Sequence, residues 1–143
     1  MKPLAEATAA VAAALEAARA EGVPDFVLNA RTDAFLRAGD QDRGEVLEEA
    51  VLRGRAYLEA GAPVVFVPGL LDEDEVGTLV EAFGPGRLSV IGVPGTLSAS
   101  RLQQLGAARL SFGPFPQRVA LTALQELVEA VEDGVPPGTR MLT

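Results

Sequence analysis

Asn29, Arg31 and Asp33 stand two residues apart in the run Phe26-Val27-Leu28-Asn29-Ala30-Arg31-Thr32-Asp33, the spacing that puts side chains on one face of an extended strand. Arg31 is permanently charged and offers a planar fork of donors that matches a carboxylate or phosphate. Asn29 shares its face and adds an amide. An apolar strand over residues 25–31 that turns polar at its exit is expected of a buried parallel sheet with a site at its carboxyl edge. The alternative chemistry is internal: Arg31 pairs with Asp33 or another carboxylate, and Asp33 caps a turn.

The composition narrows what other chemistry is open. The 143 residues contain neither Cys nor His, so thiolate chemistry, disulfides and the commonest metal ligand are excluded. Acid–base work would fall to carboxylates, Tyr57 or Lys2. A net charge of -8 argues against a nucleic-acid surface, which needs clustered Lys and Arg. Apolar residues make up 48% of the chain, enough for one domain with a real core. With no membrane-length apolar run and no signal-peptide pattern, the expected location is cytoplasmic, with no membrane partner.

The elements that must position these residues alternate. Residues 4–21 predict a helix closed by Gly22, and Pro24 leads into the strand at 25–31. A loop over 34–42 precedes a helix from about Gly44 to Ala60. Its apolar stripe includes Val46, Ala50 and Tyr57, and Glu45, Glu48, Glu49, Arg53 and Arg55 read as a solvated face. Strands follow at 64–67, 88–91 and 108–112, with helices at 72–83, 98–105 and 117–132 between and after them. Asp72, Glu73, Asp74 and Glu75 crowd one first helical turn, where acidic residues complement the dipole more often than they bind a cation. Residues 1–133 thus read as one α/β unit and 134–143 as a loose tail. Strands joined by single helices imply right-handed crossovers and a parallel sheet. Repeating βα units with glycine and proline after each strand fit either a doubly wound sheet or a piece of a (β/α)8 barrel. The lack of G-x-G-x-x-G or Walker patterns disfavours a dinucleotide or P-loop fold, and four strands are half a barrel.

Three segments carry a resemblance: Asn29-Ala-Arg-Thr-Asp33; Glu59-Ala-Gly-Ala62 followed by Val65-Phe-Val-Pro-Gly69; and Leu105-Gly-Ala-Ala-Arg-Leu-Ser-Phe-Gly-Pro114. Together, in this order, they resemble the phosphoenolpyruvate mutase/isocitrate lyase superfamily, and specifically its C-terminal half. The resemblance implies a partial (β/α)8 TIM barrel whose four parallel strands match the fifth to eighth. It implies lyase-type chemistry at a carbon–carbon or carbon–phosphorus bond next to a 2-oxo acid. It also implies Mg2+ in the complete barrel, held by carboxylates of the earlier strands, so no metal is expected to be held by this chain alone and no catalytic residue is assigned in it. Arg31 resembles the arginine that contacts the substrate's anionic group. Val67-Pro68 stands where some members carry a histidine, which favours the methylisocitrate-lyase-like or uncharacterised branches.

Further candidates come from position. Gly113 at the last strand's exit could present backbone N–H groups to an anion, though Pro114 and Pro116 remove two donors. Arg118, in the first turn of the last helix, opposes the dipole unless an anion lies near, and is a second anion contact by that argument. Substrate-binding candidates are therefore Arg31, Asn29 and Arg118. The competing reading is a non-catalytic, truncated half-barrel that self-associates. Open sheet edges and inward apolar residues, Val27, Val65, Val67, Val90 and Leu110 or their neighbours, would drive pairing. The expected partners are a second copy as a homo-oligomer (two half-barrels about a two-fold axis, or an exchanged last helix), a separately encoded N-terminal half, and a small anionic 2-oxo acid.

Overall fold

A computed structural model describes residues 1–134. Helix α1 (Leu4–Ala20) leads to strand β1 (Asn29–Arg31), a 3-10 turn (Phe35–Arg37), α2 (Arg43–Glu59), β2 (Val64–Phe66), α3 (Glu73–Phe83), β3 (Leu88–Ile91), α4 (Ala99–Leu105), β4 (Arg109–Ser111) and α5 (Phe115–Glu132). The four strands form one parallel sheet in the order β1-β2-β3-β4. This sequential α/β arrangement is half of a (β/α)8 barrel, as expected. The chain divides into two compact units, Met1–Ser111 and a second from Phe112 onward.

In the first unit the register sorts side chains onto two faces, because paired residues of a parallel sheet point the same way. Ala30, Val65, Leu88 and Val90 share one face and lie in the main core with Val46, Ala50 and Tyr57 of α2 and Val76 and Leu79 of α3. Asn29, Arg31, Val64, Phe66, Ser89, Ile91, Arg109 and Ser111 share the other. The inward set expected from the sequence is therefore made of the neighbours of Val65, Val90 and Leu110 rather than of those residues themselves. Val67 packs in the helix-covered core as well.

The strand expected over 25–31 is shorter. Only Asn29–Arg31 pair, and Phe26 and Val27 are exposed. The reason lies in β2, whose ladder starts at Val64 opposite Asn29, after the turn Gly61–Pro63. Proline has no N–H to extend it, so Phe26–Leu28 have no strand to pair with. Of the other elements, β3 keeps its expected bounds and the rest shift by one or two residues. Pro114 stands at the N-cap of α5 and Pro116 within its first turn, where a missing N–H costs nothing.

Caps set the helix starts. Asp42 accepts from Gly44 and Glu45 N–H at the head of α2, and Ser98 accepts from Arg101 N–H at the head of α4. Gly54 of α2 packs beneath Phe83 of α3: a Cβ there would stand 2.1 Å from the ring's Cζ. That absence of a side chain lets the two helices meet. Gly106 ends α4 in the left-handed conformation, φ 98°, which a Cβ would oppose.

In the second unit, α5 has no buried residue among those described, and Val119, Leu121, Leu124, Val128 and Val131 are exposed. No helix among the described residues is long and apolar enough to cross a membrane. The tail expected over 134–143 falls, apart from Gly134, outside the described residues.

Candidate functional site

Arg31 is the last residue of β1, so its side chain leaves the sheet at the carboxyl edge, where sites of such folds lie. Half exposed, it donates from Nε to Asp33 Oδ1 at 2.6 Å, and its guanidinium lies 5.8 Å from the centre of the Phe66 ring. The internal Arg31–Asp33 pair considered from the sequence is therefore present. It uses one donor. The terminal nitrogens of the fork have no hydrogen-bond acceptor among the described residues, which leaves the edge that binds a carboxylate bidentately.

Arg31 lines an open cleft of about 520 Å³ together with Lys2, Asp33, Arg37, Arg53 and Tyr57. Four cations around one cleft are conspicuous in a chain of net charge -8. Arg37 follows Asp33 by one helical turn and lies 3.9 Å from its Oδ2. Arg53 is buried, contrary to the solvated face expected of it, because α1 packs on that side of α2 and its guanidinium donates to Lys2 O at 3.0 Å and Glu49 Oε1 at 2.6 Å. Burial works against its charge, but hydrogen bonding with Tyr57 and Glu49 outweighs that and raises its pKa, so it stays a guanidinium. Arg53 and Tyr57 are four apart on one helix, the spacing that puts both on the cleft. Thr32, buried in the cleft wall, has an Oγ1 without a hydrogen-bond partner among the described residues.

A second arginine ties the loops above the sheet. Arg43, at the head of α2, donates to Glu75 of α3 from Nε (2.5 Å) and Nη2 (2.9 Å) and to Leu70 O at 2.6 Å, with the Phe35 ring 4.8 Å below it. Glu75 is buried and also closes a capping box with Asp72. One guanidinium thus joins the loop after β1 to the loop after β2. The hydrogen bond to Glu75 is the largest effect on Arg43 and raises its pKa. Sequence reasoning missed this pair, since 32 residues separate its members.

Of the other candidates, Asn29 sits on the Arg31 face of β1, one alternation from the edge, and its buried Oδ1 has no partner among the described residues. Arg118 belongs to the second unit, where its guanidinium lies 5.8 Å from the centre of the Phe115 ring, a cation–π contact that the dipole argument did not foresee. Several of the acidic residues already have partners. Asp33 holds two arginines, Asp42 and Asp72 cap helices, and Glu73 pairs with Arg101 of α4. No group of three or more Asp or Glu among the described residues could hold a metal ion.

Comparison with known proteins decides the family. The phosphoenolpyruvate phosphomutase family model matches residues 1–132. The chain belongs to this family. An uncharacterised protein of Mycobacterium tuberculosis strain H37Rv is 34% identical over 125 residues, which is 87% of this chain and 46% of that protein. Among solved structures, oxaloacetate acetylhydrolase in complex with its product oxalate superposes with a TM-score of 0.81 at 25% identity, over 98% of this chain and 47% of that one. A 2,3-dimethylmalate lyase, a member of the phosphoenolpyruvate mutase/isocitrate lyase superfamily, gives 0.79 at 25% identity, over 100% and 49%. The chain spans about half the length of the relatives it matches.

Proposed function

We propose that this chain is the anion-binding half of a lyase-type barrel acting at a carbon–carbon or carbon–phosphorus bond next to a 2-oxo acid. The observation that carries this is the free fork of Arg31 at the carboxyl edge of β1, in a chain matched to the family over residues 1–132. Arg31 holds the substrate's carboxylate or phosphonate, as a preorganised cation stabilises developing negative charge. Asp33 fixes the guanidinium's orientation, and Lys2, Arg37 and Arg53 raise the local potential for an anion. Asn29 is the weaker contact, oriented to the same face. Any Mg2+ that the complete barrel uses is held by residues other than those described, so turnover requires a complementary half.

The test is a thermal-shift titration with oxalate, with and without Mg2+, on the wild type and Arg31→Ala. A rise that requires Arg31 supports the reading. If it requires Mg2+ as well, a complete site has been assembled. A rise untouched by Arg31→Ala, or none, refutes the role given to Arg31.

The second reading, a non-catalytic self-associating module, draws on two features. Among the described residues β1 and β4 each pair with one neighbour only, leaving two open edges, and α5 exposes an apolar side. It predicts association without ligand dependence.

A further inference from the structure

The sheet face away from the helices carries charge of one sign. Its strand residues are Asn29, Arg31, Val64, Phe66, Ser89, Ile91, Arg109 and Ser111, with no carboxylate among them. Arg31 has Asp33 just beyond its strand, already shared with Arg37. Arg109, exposed at the start of β4, has no ion-pair partner among the described residues. Closing the sheet into a ring turns this face inward.

We infer that Arg109 excludes closure of the sheet on a second copy and selects a complementary half-barrel that presents a carboxylate at its level. The reason is symmetry. Two copies closing one ring are related by a two-fold axis along the barrel, so every inward residue faces its own counterpart across that axis. Arg109 then faces Arg109 across the axis, and like charges brought together there repel. No strand residue on the inward face of a second copy offsets them. A half of different sequence has no such constraint. It can place an acceptor against Arg109, which is exposed on this face. This inference rests on the half-barrel fold and not on the proposed activity, and α5 remains free to mediate other contacts between copies.

The chain itself supplies the test, read by sedimentation velocity and native mass spectrometry at micromolar concentration, with far-UV circular dichroism to verify folding. Arg109→Glu faces itself and should associate no more than the wild type. An equimolar mixture of wild type and Arg109→Glu should form a one-to-one pair at least tenfold tighter than either alone, weakening with salt. Arg109→Met, which removes the charge, should also self-associate more tightly than the wild type. A mixture no tighter than its components, or a wild type that pairs as tightly as Arg109→Met, overturns the inference. Loss of ligand binding by Arg31→Ala bears on the proposed function alone and leaves this outcome untouched.

Discussion

Replacing Arg43 by Ala isolates the interaction that joins the loops over the sheet. The Glu75 side chain is 6% exposed and would lose both charge-assisted hydrogen bonds, keeping only the Asp72 N–H at 2.9 Å. Removing one partner of a fully buried pair costs about 3–5 kcal/mol. Arg43 itself is 58% exposed, so water recovers part of that, and about 2 kcal/mol is the expected loss. For a chain of this size that corresponds to a fall in Tm of roughly 6–8 °C. Arg43→Lys keeps the charge but not the fork and should lose about half as much. Urea denaturation with an unchanged slope is the assay. The double variant Arg43→Ala/Glu75→Gln should lose clearly less than the sum of the single losses, because the second change removes the stranded charge. A loss under about 0.5 kcal/mol for Arg43→Ala, or strict additivity, would refute the account, since both are the behaviour of an ordinary surface pair.

Other outcomes follow from the same packing. Gly54→Ala should destabilise by about 1–3 kcal/mol, because its Cβ would meet the Phe83 ring at 2.1 Å. Gly77→Ala, with nothing within 4 Å, should stabilise by about 0.5–1 kcal/mol, and paired melts check both. Hydrogen bonding to Arg101 lowers the Glu73 pKa. This contact therefore stabilises the fold above the usual glutamate range and is lost as pH falls through the lowered value. Arg101→Ala should flatten the acid limb of the stability–pH profile measured by denaturation. Arg53→Met should lower stability and loosen the head of α1, read as faster amide exchange over residues 4–8, because the Lys2 carbonyl loses its donor.

The order of elements was legible because each carries local signals. Leu88–Ile91 matched its expected bounds, being a short apolar run between a Gly-Pro-Gly turn and a Gly-Val-Pro-Gly turn. The helices expected to start at Asp72 and Ser98 start one residue later, each with that residue as its N-cap. The length of β1 was not legible. Phe26–Leu28 have strand-like residues, yet pairing requires a neighbour, and the neighbour begins only at Val64. The Arg31–Asp33 pair was recognisable by type and spacing. Arg37, Arg53 and Lys2 were not gathered with them, because their convergence depends on how α1 lies against α2.

The sequence by itself determined the alternation of strands and helices, the family, and the charge chemistry that made Arg31 the candidate for holding an anion. These rest on local backbone preference and on side-chain chemistry that needs no partner. The tertiary structure decided which face of each strand is inward, that Arg53 is buried and bridged to Lys2, and that Arg43 reaches Glu75 across 32 residues. Those outcomes depend on register and helix packing. Shifting a strand by one residue exchanges its two faces without altering a letter of the pattern that made it a strand.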